Sequence, residues 1–147
     1  MSTTELQASY CRCLFYAANA LARNIGRLAD EAFASTGLTS SYAFLLMSVN
    51  RQPGIQPSEI ARVMMLTPST VTRLVDKLES KGYLERRSAG KASHIHPTSR
   101  SLALDADLRA AWKGLFDQYA ALLGEAEATE LTAAVFEAAQ RLEAGEA

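Results

Sequence analysis

The segment from Thr67 to Gly82 constrains the fold of this 147-residue chain more than any other. At about 100° per residue, its apolar residues fall on one side of a helix, and the other side carries small hydroxylated and basic residues. Thr67 is a good N-cap, Pro68 suits the first helical position, and Gly82 can close the far end in a left-handed conformation. Short Ser and Thr side chains let a helix approach a DNA groove, where Arg reaches phosphate or guanine. The pattern predicts a helix that packs by one face and docks on DNA by the other, with a solvated amphipathic helix as the alternative.

A second helix is predicted immediately upstream, from Pro57 to Met64. Its proline suits the first helical position, and Gln56 takes the capping position as a weaker cap than Ser or Thr. Met65 and Leu66 then form a tight apolar turn. Two short helices joined in this way indicate a helix-turn-helix.

The residues after Gly82 predict a small β-hairpin. Tyr83–Arg86 and Ser93–His96 have the composition of short strands, and the segment Arg87–Lys91 between them contains the turn-forming Gly90. A helix-turn-helix followed by such a hairpin is a winged helix. In that arrangement the second helix enters the major groove, and the wing touches neighbouring backbone or the minor groove.

The net charge of -1 averages three unlike regions. Residues 1–50 hold three basic and three acidic side chains, residues 51–100 hold nine and four, and residues 101–147 hold three and nine. The middle third is therefore the electropositive part of the chain. This polarity is expected of a module that presents one surface to DNA, and a chance fluctuation is the alternative.

Composition and length indicate one globular domain, because the chain is 48% hydrophobic and 21% charged. Its apolar runs are too short to span a membrane, and its first residues lack the pattern of a secretory signal, so we expect a cytoplasmic protein. Cys11 and Cys13 are too few for a disulfide framework and lack the further ligands of a zinc site. Both are predicted to be thiols.

Apolar residues spaced alternately by three and four predict four further helices. These run over about residues 9–34, 40–51, 99–123 and 128–144. The first stripe, which is expected to be buried, comprises Cys11, Leu14, Ala18, Leu21, Ile25, Leu28 and Ala32; the last two comprise Leu108, Trp112, Leu115, Tyr119 and Leu122, then Leu131, Val135, Ala138 and Leu142. A compact winged domain would cover only part of one stripe. The first helix and the last two are therefore expected to pack against a second copy of the chain.

Three motifs, in this order and spacing, resemble the multiple-antibiotic-resistance regulator (MarR) family: Ser58–Ala61, Ser69–Glu79 and Gly82–Arg87. The resemblance extends over the whole helical plan. It implies a mainly α fold in a single domain over residues 1–147, with a winged helix-turn-helix over about residues 39–98 that carries a small β-hairpin wing. It also implies a homodimer held by long helices over about residues 9–34 and 99–144.

The resemblance further implies a repressor that binds a pseudo-palindromic double-stranded operator and is released by a small molecule or an oxidant. In the family, polar residues early in the recognition helix meet bases and phosphates. The corresponding residues of this chain are Pro68, Ser69, Thr70, Thr72, Arg73 and Lys77.

The wing departs from the family pattern, which has an Asp-x-Arg pair in a longer loop, an apolar strand and a Leu-Thr step. The basic residues of the wing in this chain are Arg86, Arg87 and Lys91. Together with the residues of the recognition helix, they are expected to contact DNA. A shorter wing reaches less far, so Lys91 or Arg87 is expected to contact phosphate in place of an arginine inserted into the minor groove.

Other chemistry has little support in the sequence. His94 and His96 share one side of a predicted strand, as in some metal sites, but a third ligand is missing and two solvated polar residues are the preferred interpretation. No nucleophile turn or glycine-rich loop indicates an enzyme, so neither a catalytic residue nor a cofactor is predicted. The rival hypotheses are a dimeric winged helix that binds a protein instead of DNA, and a thiol peroxidase, which only Cys13 favours.

An effector pocket is a further implication of the resemblance. Family members bind ligands between the dimerisation helices and the winged domain. Phe15, Tyr16 and Trp112 are candidates to line such a pocket around a small aromatic ligand, and a place in the core is the preferred alternative.

Cys13 is the candidate redox sensor. Peroxide-sensing members of the family place a reactive cysteine near the start of the first long helix with tyrosines nearby, and here Tyr10 and Tyr16 flank Cys13. Cys11 continues the apolar stripe and is expected to be buried. On a helix the two thiols would point about 200° apart, which opposes a bond between them. Inert packing of both thiols is the favoured alternative.

Overall fold

The computed structural model describes residues 1–145 as a mainly α-helical chain with one β-hairpin. The elements are α1 Thr3–Tyr10, α2 Leu14–Phe33, a short 3-10 helix Ala34–Thr36, α3 Ser40–Arg51, α4 Pro57–Met64, α5 Pro68–Ser80, β1 Leu84–Ala89, β2 Ala92–Pro97, α6 Ser99–Leu123 and α7 Glu125–Gly145. The predicted fold class, a winged helix-turn-helix with long terminal helices, is confirmed.

The chain folds into two compact units. One unit comprises Met1–Leu28 together with the chain from Lys113 onwards, and the other comprises Ala29–Trp112. The second unit contains the whole winged helix. A single domain over residues 1–147 stays a prediction.

The unit Ala29–Trp112 is built around a dense apolar core. Its fully buried large side chains come from six helices and strands: Phe33, Leu45, Leu46, Val49, Ile60, Val71, Val75, Leu78, Ile95 and Leu108. Leu45 and Val49 of α3 both face this core. Phe44 is half-buried and packs edge-on against Phe33, with ring centroids 5.8 Å apart.

The helix-turn-helix forms at the predicted residues because its ends are capped locally. The backbone N–H of Gln56 donates to Glu59 Oε2 at 2.8 Å, which completes a capping box for α4. Met65 adopts a left-handed conformation, with φ of 52°, and turns the chain towards α5. At the start of α5, the N–H of Thr70 donates to Thr67 Oγ1 at 3.4 Å, as expected of an N-cap.

The far end of α5 is closed by a glycine, as the sequence predicts. Gly82 has a φ of 81°, a region that side chains with a Cβ rarely occupy. The N–H groups of Gly82 and Tyr83 donate to the carbonyls of Glu79 and Leu78, each at 3.0 Å. This is the Schellman arrangement, which satisfies carbonyls that the last helical turn leaves open.

The hairpin strands are longer than predicted. The antiparallel pairing runs from Leu84 opposite Pro97 to Ala89 opposite Ala92, so the loop consists of Gly90 and Lys91 alone. Placing Arg87 in the loop was therefore wrong. A two-residue turn with a glycine at positive φ, here 65°, matches the twist of paired strands and lets the ladder continue to the tip.

The predicted first helix over residues 9–34 is wrong at its start. The chain instead forms α1 and α2, separated by Cys11–Cys13. Ser2 and Glu5 cap α1 reciprocally, and the Cys11 thiol donates to the carbonyl of Ala8 at 3.3 Å. Side chains that bond nearby carbonyls in this way compete with the helical ladder and favour its end.

Both cysteines are free and exposed in the single chain, and the predicted burial of Cys11 in a stripe covered by a second copy stays a prediction. Neither cysteine lies within a helix. The argument against a bond between the two thiols assumed that both lie on one helix and point about 200° apart. That argument therefore does not apply to this structure.

The C-terminal helices follow the predicted pattern with one shift. α6 has the predicted bounds, whereas α7 begins at Glu125 instead of residue 128. Gly124, with φ of 91°, is sufficient to separate the two helices. Glu125 and Glu127 then lie in the first turn of α7, where carboxylates interact favourably with the helix dipole.

None of the helices in residues 1–145 alone combines the length and the apolar composition of a membrane span. One bent pair, Leu14–Thr36 with Ser40–Arg51, has both when its two segments are taken together.

Candidate nucleic-acid interface

The outer face of α5 has the composition that the sequence predicts. Pro68, Ser69, Thr72, Arg73 and Lys77 are exposed, and Thr70 is half-buried. The inner face buries Val71, Val75 and Leu78 in the core of the unit. Because the apolar face is anchored, the polar face is presented to solvent in one fixed orientation.

Hydroxyl groups are ordered at the N-terminal end of α5. Thr67 Oγ1 lies 3.2 Å from Ser69 Oγ and 2.9 Å from Thr70 Oγ1, and Thr72 Oγ1 donates to the carbonyl of Pro68 at 3.0 Å. A hydroxyl has one hydrogen, so Thr72 retains its methyl group and its acceptor lone pairs for a partner. A helix N-terminus with exposed hydroxyls is suited to bind phosphate.

Arg73 and Lys77 supply positive charge on this face. Within residues 1–145, no hydrogen bond or ion pair engages either side-chain cation. The two carboxylates of α5, Asp76 and Glu79, are both paired with Arg86. Arg86 balances one of these two negative charges, and Arg73 and Lys77 outweigh the other, so the face keeps a net positive charge for phosphate and guanine.

Arg86 of β1 joins the hairpin to α5. Its Nη1 donates to Glu79 Oε1 at 2.7 Å and its Nη2 to Asp76 Oδ1 at 2.5 Å, while its backbone N–H donates to Glu79 Oε2 at 3.1 Å. Partial burial lowers the pKa of Arg86, but hydrogen bonds and charges from Asp76 and Glu79 outweigh it, so the net shift of the pKa is upward. The sequence predicts that Arg86 contacts DNA; its guanidinium is paired with these carboxylates, and its contact with DNA stays a prediction.

The other wing cations lie nearer the tip of the hairpin. Arg87 is exposed on β1 and forms an ion pair with Glu85 two residues away. Lys91 is exposed in the two-residue turn, and its ammonium has no hydrogen bond or ion pair within the described chain. Lys91 is thus the wing cation with the most freedom to meet a phosphate.

His94 forms a hydrogen bond within the protein. His94 Nδ1 lies 2.9 Å from the carbonyl oxygen of Gly54, so this nitrogen donates a hydrogen bond that ties β2 to the loop before α4. The same loop pairs with β2 through Ile55 and Ile95, whose N–H···O distance is 2.9 Å. In the part of the chain that the structure describes, no three His, Cys, Asp or Glu side chains cluster as metal ligands.

The role of Arg86 predicts a difference in stability between two adjacent arginines. Arg86→Met is expected to lower the free energy of unfolding by about 1 kcal/mol, because it breaks a partly exposed pair with two carboxylates. Arg87→Met, the matched control, removes only an exposed local pair and is expected to change stability by less than about 0.5 kcal/mol. Urea denaturation followed by circular dichroism measures both values. Equal losses would show that Arg86 does not join the hairpin to α5.

The residues predicted at an effector site lie in different surroundings. In the unit Ala29–Trp112, Trp112 packs edge-on against Phe44, with centroids 5.8 Å apart, and the guanidinium of Arg51 lies 5.4 Å from its ring centre. In the other unit, Phe15 is 78% exposed and Tyr16 is half-buried. A shared pocket for the three stays a prediction.

Cys13 lies beside the tyrosines that the sequence associates with it. Its N–H donates to the carbonyl of Tyr10 at 2.8 Å, and the rings of Tyr10 and Tyr16 are in contact, with centroids 5.8 Å apart. The thiol itself is exposed. Cys13 is therefore close to both tyrosines and accessible to an oxidant. Its redox role stays a prediction.

Sequence reasoning missed a groove in the unit that contains α7. The groove has a volume of about 370 Å³ and is almost entirely apolar. Its lining includes Leu21, Ile25, Tyr119, Leu123, Ala128, Leu131, Thr132, Val135, Phe136 and Ala139. The apolar stripes of the long helices indicated an apolar surface in this unit. They did not indicate that this surface is concave.

Comparison with known proteins agrees with this geometry. Residues 38–89 match the sequence profile of the MarR family. The HTH-type transcriptional repressor MdtR of Bacillus subtilis (strain 168) is 30% identical over 118 residues, which cover 75% of this chain and 75% of MdtR.

Solved structures share the fold at lower sequence identity. The transcriptional regulator MosR of M. tuberculosis is 22% identical with a TM-score of 0.79, over 92% of this chain and 98% of MosR. MepR of S. aureus, in a structure described as a MepR-DNA complex, is 18% identical with a TM-score of 0.74, over 87% of this chain and 97% of that one. From the profile match, the similarity to MdtR and the shared winged helix, we conclude that the chain belongs to the MarR family.

Proposed function

We propose that this MarR-family protein is a homodimeric transcriptional repressor that binds double-stranded operator DNA and releases it in response to a small molecule or an oxidant. The observation that carries the proposal is the outer face of α5, where Arg73 and Lys77 are exposed and uncompensated beside a row of small polar side chains. The relatives that match are regulators, so no enzymatic role is proposed. A repressor acts where the chromosome lies, and we place this one in the cytoplasm.

The arrangement of α5 suits the major groove. Pro68, Ser69 and Thr72 are small, so they let the helix backbone come close to the base edges. Arg73 lies one turn further along the same face and is long enough to form a bidentate pair with guanine. Lys77 follows after another turn and is suited to phosphate as a point charge. In this proposal Lys91 contacts a phosphate from the wing.

Two copies of the chain would explain the exposed apolar surface of the unit that contains α7. In the described part of that unit, Leu115 and Ala128 are the buried apolar side chains. Large apolar residues of its helices remain exposed: Leu14, Phe15, Leu21, Leu122, Leu123, Leu131, Val135, Phe136 and Leu142. Monomeric proteins rarely expose that much contiguous apolar surface, so we propose that a second copy covers it. A dimer also matches the two half-sites of a palindromic operator.

Selection of bound fragments from the source genome tests DNA binding. The purified protein is incubated with sheared genomic DNA, and recovered fragments are then measured by fluorescence anisotropy at increasing salt concentration. We expect selective enrichment of promoter fragments and an affinity that falls linearly with salt on logarithmic axes, because phosphate contacts release counterions. Recovery of random fragments only, by a protein confirmed to be folded, would contradict the proposal.

Cys13 is the proposed contact point for an oxidant. Mild organic peroxide is expected to release operator DNA from the wild type but not from Cys13→Ser, and a thiol reductant is expected to restore binding, because sulfenic acids and disulfides are reducible. Cys11→Ser is the matched control, since its thiol is also exposed and lies two residues away. Equal release of both proteins by peroxide would exclude Cys13 as the sensor, and no release of either would favour a non-covalent ligand.

A further inference from the structure

The C-terminal end of α5 is held by residues at the start of α6. The N–H of Thr98 donates to the carbonyl of Tyr83 at 3.0 Å, and Thr98 Oγ1 lies 2.7 Å from the carbonyl oxygen of Gly82. Arg100 Nη1 donates to the carbonyl of Lys81 at 2.5 Å. The three successive carbonyls that follow α5 therefore receive donors from Thr98, just before α6, and from Arg100, in its first turn.

Arg100 makes a second contact at the same place. Its guanidinium lies 4.4 Å from the ring centre of Tyr83, which is buried. A cation over an aromatic face is attracted by the ring quadrupole, and the same cation at a helix C-terminus is attracted by the helix dipole. Arg100 is thus fixed in two directions, by a hydrogen bond to Lys81 and by the ring of Tyr83.

The position of this helix end matters for the face that meets DNA. Arg73 and Lys77 project from the same rigid helix that ends at Ser80. Pairs between side chains and base edges tolerate displacements of only about 0.5 Å, so a small tilt of α5 weakens them. The wing constrains α5 from one side through Arg86, and Arg100 constrains its end from α6.

We propose that Arg100 is a positioning residue of the DNA-binding surface, which sets operator affinity by fixing the end of α5 to α6 and not by touching DNA. The proposal rests on the proposed function of α5. Arg100 lies in the first turn of α6, which runs from Ser99 to Leu123, so its contacts join α6 to the end of α5 within the unit Ala29–Trp112.

Three variants separate positioning from phosphate contact. Arg100→Met keeps the aliphatic stem but loses the hydrogen bond and the cation, and Arg100→Lys keeps a cation that can reach the same carbonyl. Arg109→Met is the matched control, because it removes the same charge from an exposed arginine of α6 that pairs with Asp105. Circular dichroism confirms that each variant is folded.

Two measurements are made on the full-length protein. Amide hydrogen exchange of residues 79–83 without DNA reports whether the end of α5 is fixed. Operator affinity is measured at several salt concentrations. Arg100→Met is expected to speed exchange at residues 79–83 and to weaken operator binding about tenfold, with the salt dependence of the wild type. In exchange rate and operator affinity, Arg100→Lys is expected to lie between the wild type and Arg100→Met. Arg109→Met is expected to match the wild type in both measurements.

Contrary outcomes are distinct. A loss of affinity accompanied by a decrease of about 0.9 in the salt slope would identify Arg100 as a phosphate contact and overturn the positioning role. Unchanged exchange in Arg100→Met would overturn it as well. If the wild type bound no DNA at all, the proposed function would fail, and the exchange measurement would still decide whether Arg100 fixes the end of α5.

Discussion

Leu142→Glu, combined with Val135→Glu, is expected to convert a dimer into folded monomers at micromolar concentration and to abolish tight operator binding. Leu142 is 63% exposed and Val135 is 46% exposed in the single chain, so their replacement costs the fold of one chain little. In a dimer each would become a buried charge without a partner. That penalty is at least about 2 kcal/mol per site, or a factor of roughly 30 in the dissociation constant.

Ala133→Glu is the matched control. Ala133 is also exposed on α7 but lies on the opposite side of the helix from the stripe that includes Leu131, Val135 and Leu142. Sedimentation measures the mass of each variant, and anisotropy measures operator affinity. We expect Ala133→Glu to be dimeric and the double variant to be monomeric. A double variant that stays dimeric would show that the partner copy binds elsewhere.

Arg73→Ala is expected to weaken operator binding by about 1–3 kcal/mol while the protein stays folded. The reason is the position of Arg73, which lies in the middle of the exposed face of α5 and has no ion pair in the described chain. Anisotropy on the selected operator and on a scrambled duplex measures the loss. We expect Arg73→Ala to lose more on the operator than on the scrambled duplex, because a base contact carries sequence information and a phosphate contact does not.

Two further variants calibrate this result. Lys77→Ala is expected to weaken binding to both duplexes by a similar factor, as a phosphate contact does. Lys113→Ala removes an exposed cation of α6 and is expected to leave both affinities unchanged. Wild-type operator affinity in Arg73→Ala would show that α5 does not read the major groove.

Local signals are the reason why α4 and α5 could be predicted to the residue. Thr67, Pro68 and Gly82 act on atoms within one turn of the chain, so their effect is present in the sequence. The tip of the hairpin depends on pairing between β1 and β2, which residue types specify less tightly, and Arg87 was placed in the loop instead of the strand.

The break between α1 and α2 shows a different limit. Apolar periodicity continues through Cys11, so it predicted one helix where the structure has two. At this end of α1 the side chains of Ser9 and Cys11 donate to the carbonyls of Leu6 and Ala8, where they can compete with the backbone. Periodicity does not measure that competition.

The sequence predicts which residues the outer face of α5 exposes. It does not predict which charged side chains of the site form ion pairs with one another. Exposure of Ser69, Arg73 and Lys77 followed from the helical pattern. Arg86 is ten residues from Asp76 in sequence, and its capture by that carboxylate depends on where β1 lies against α5. A count of basic residues therefore does not reveal which of the cations are paired within the protein.

The stoichiometry and salt dependence of binding to a selected operator show whether the protein acts as a DNA-binding dimer. Duplex is titrated with wild-type protein at several salt concentrations, and the mass of the complex is measured in parallel. We expect one dimer per duplex and an affinity that falls steeply with salt. A folded protein that binds no duplex even at low salt, and instead captures a protein partner with an affinity insensitive to salt, would contradict this expectation.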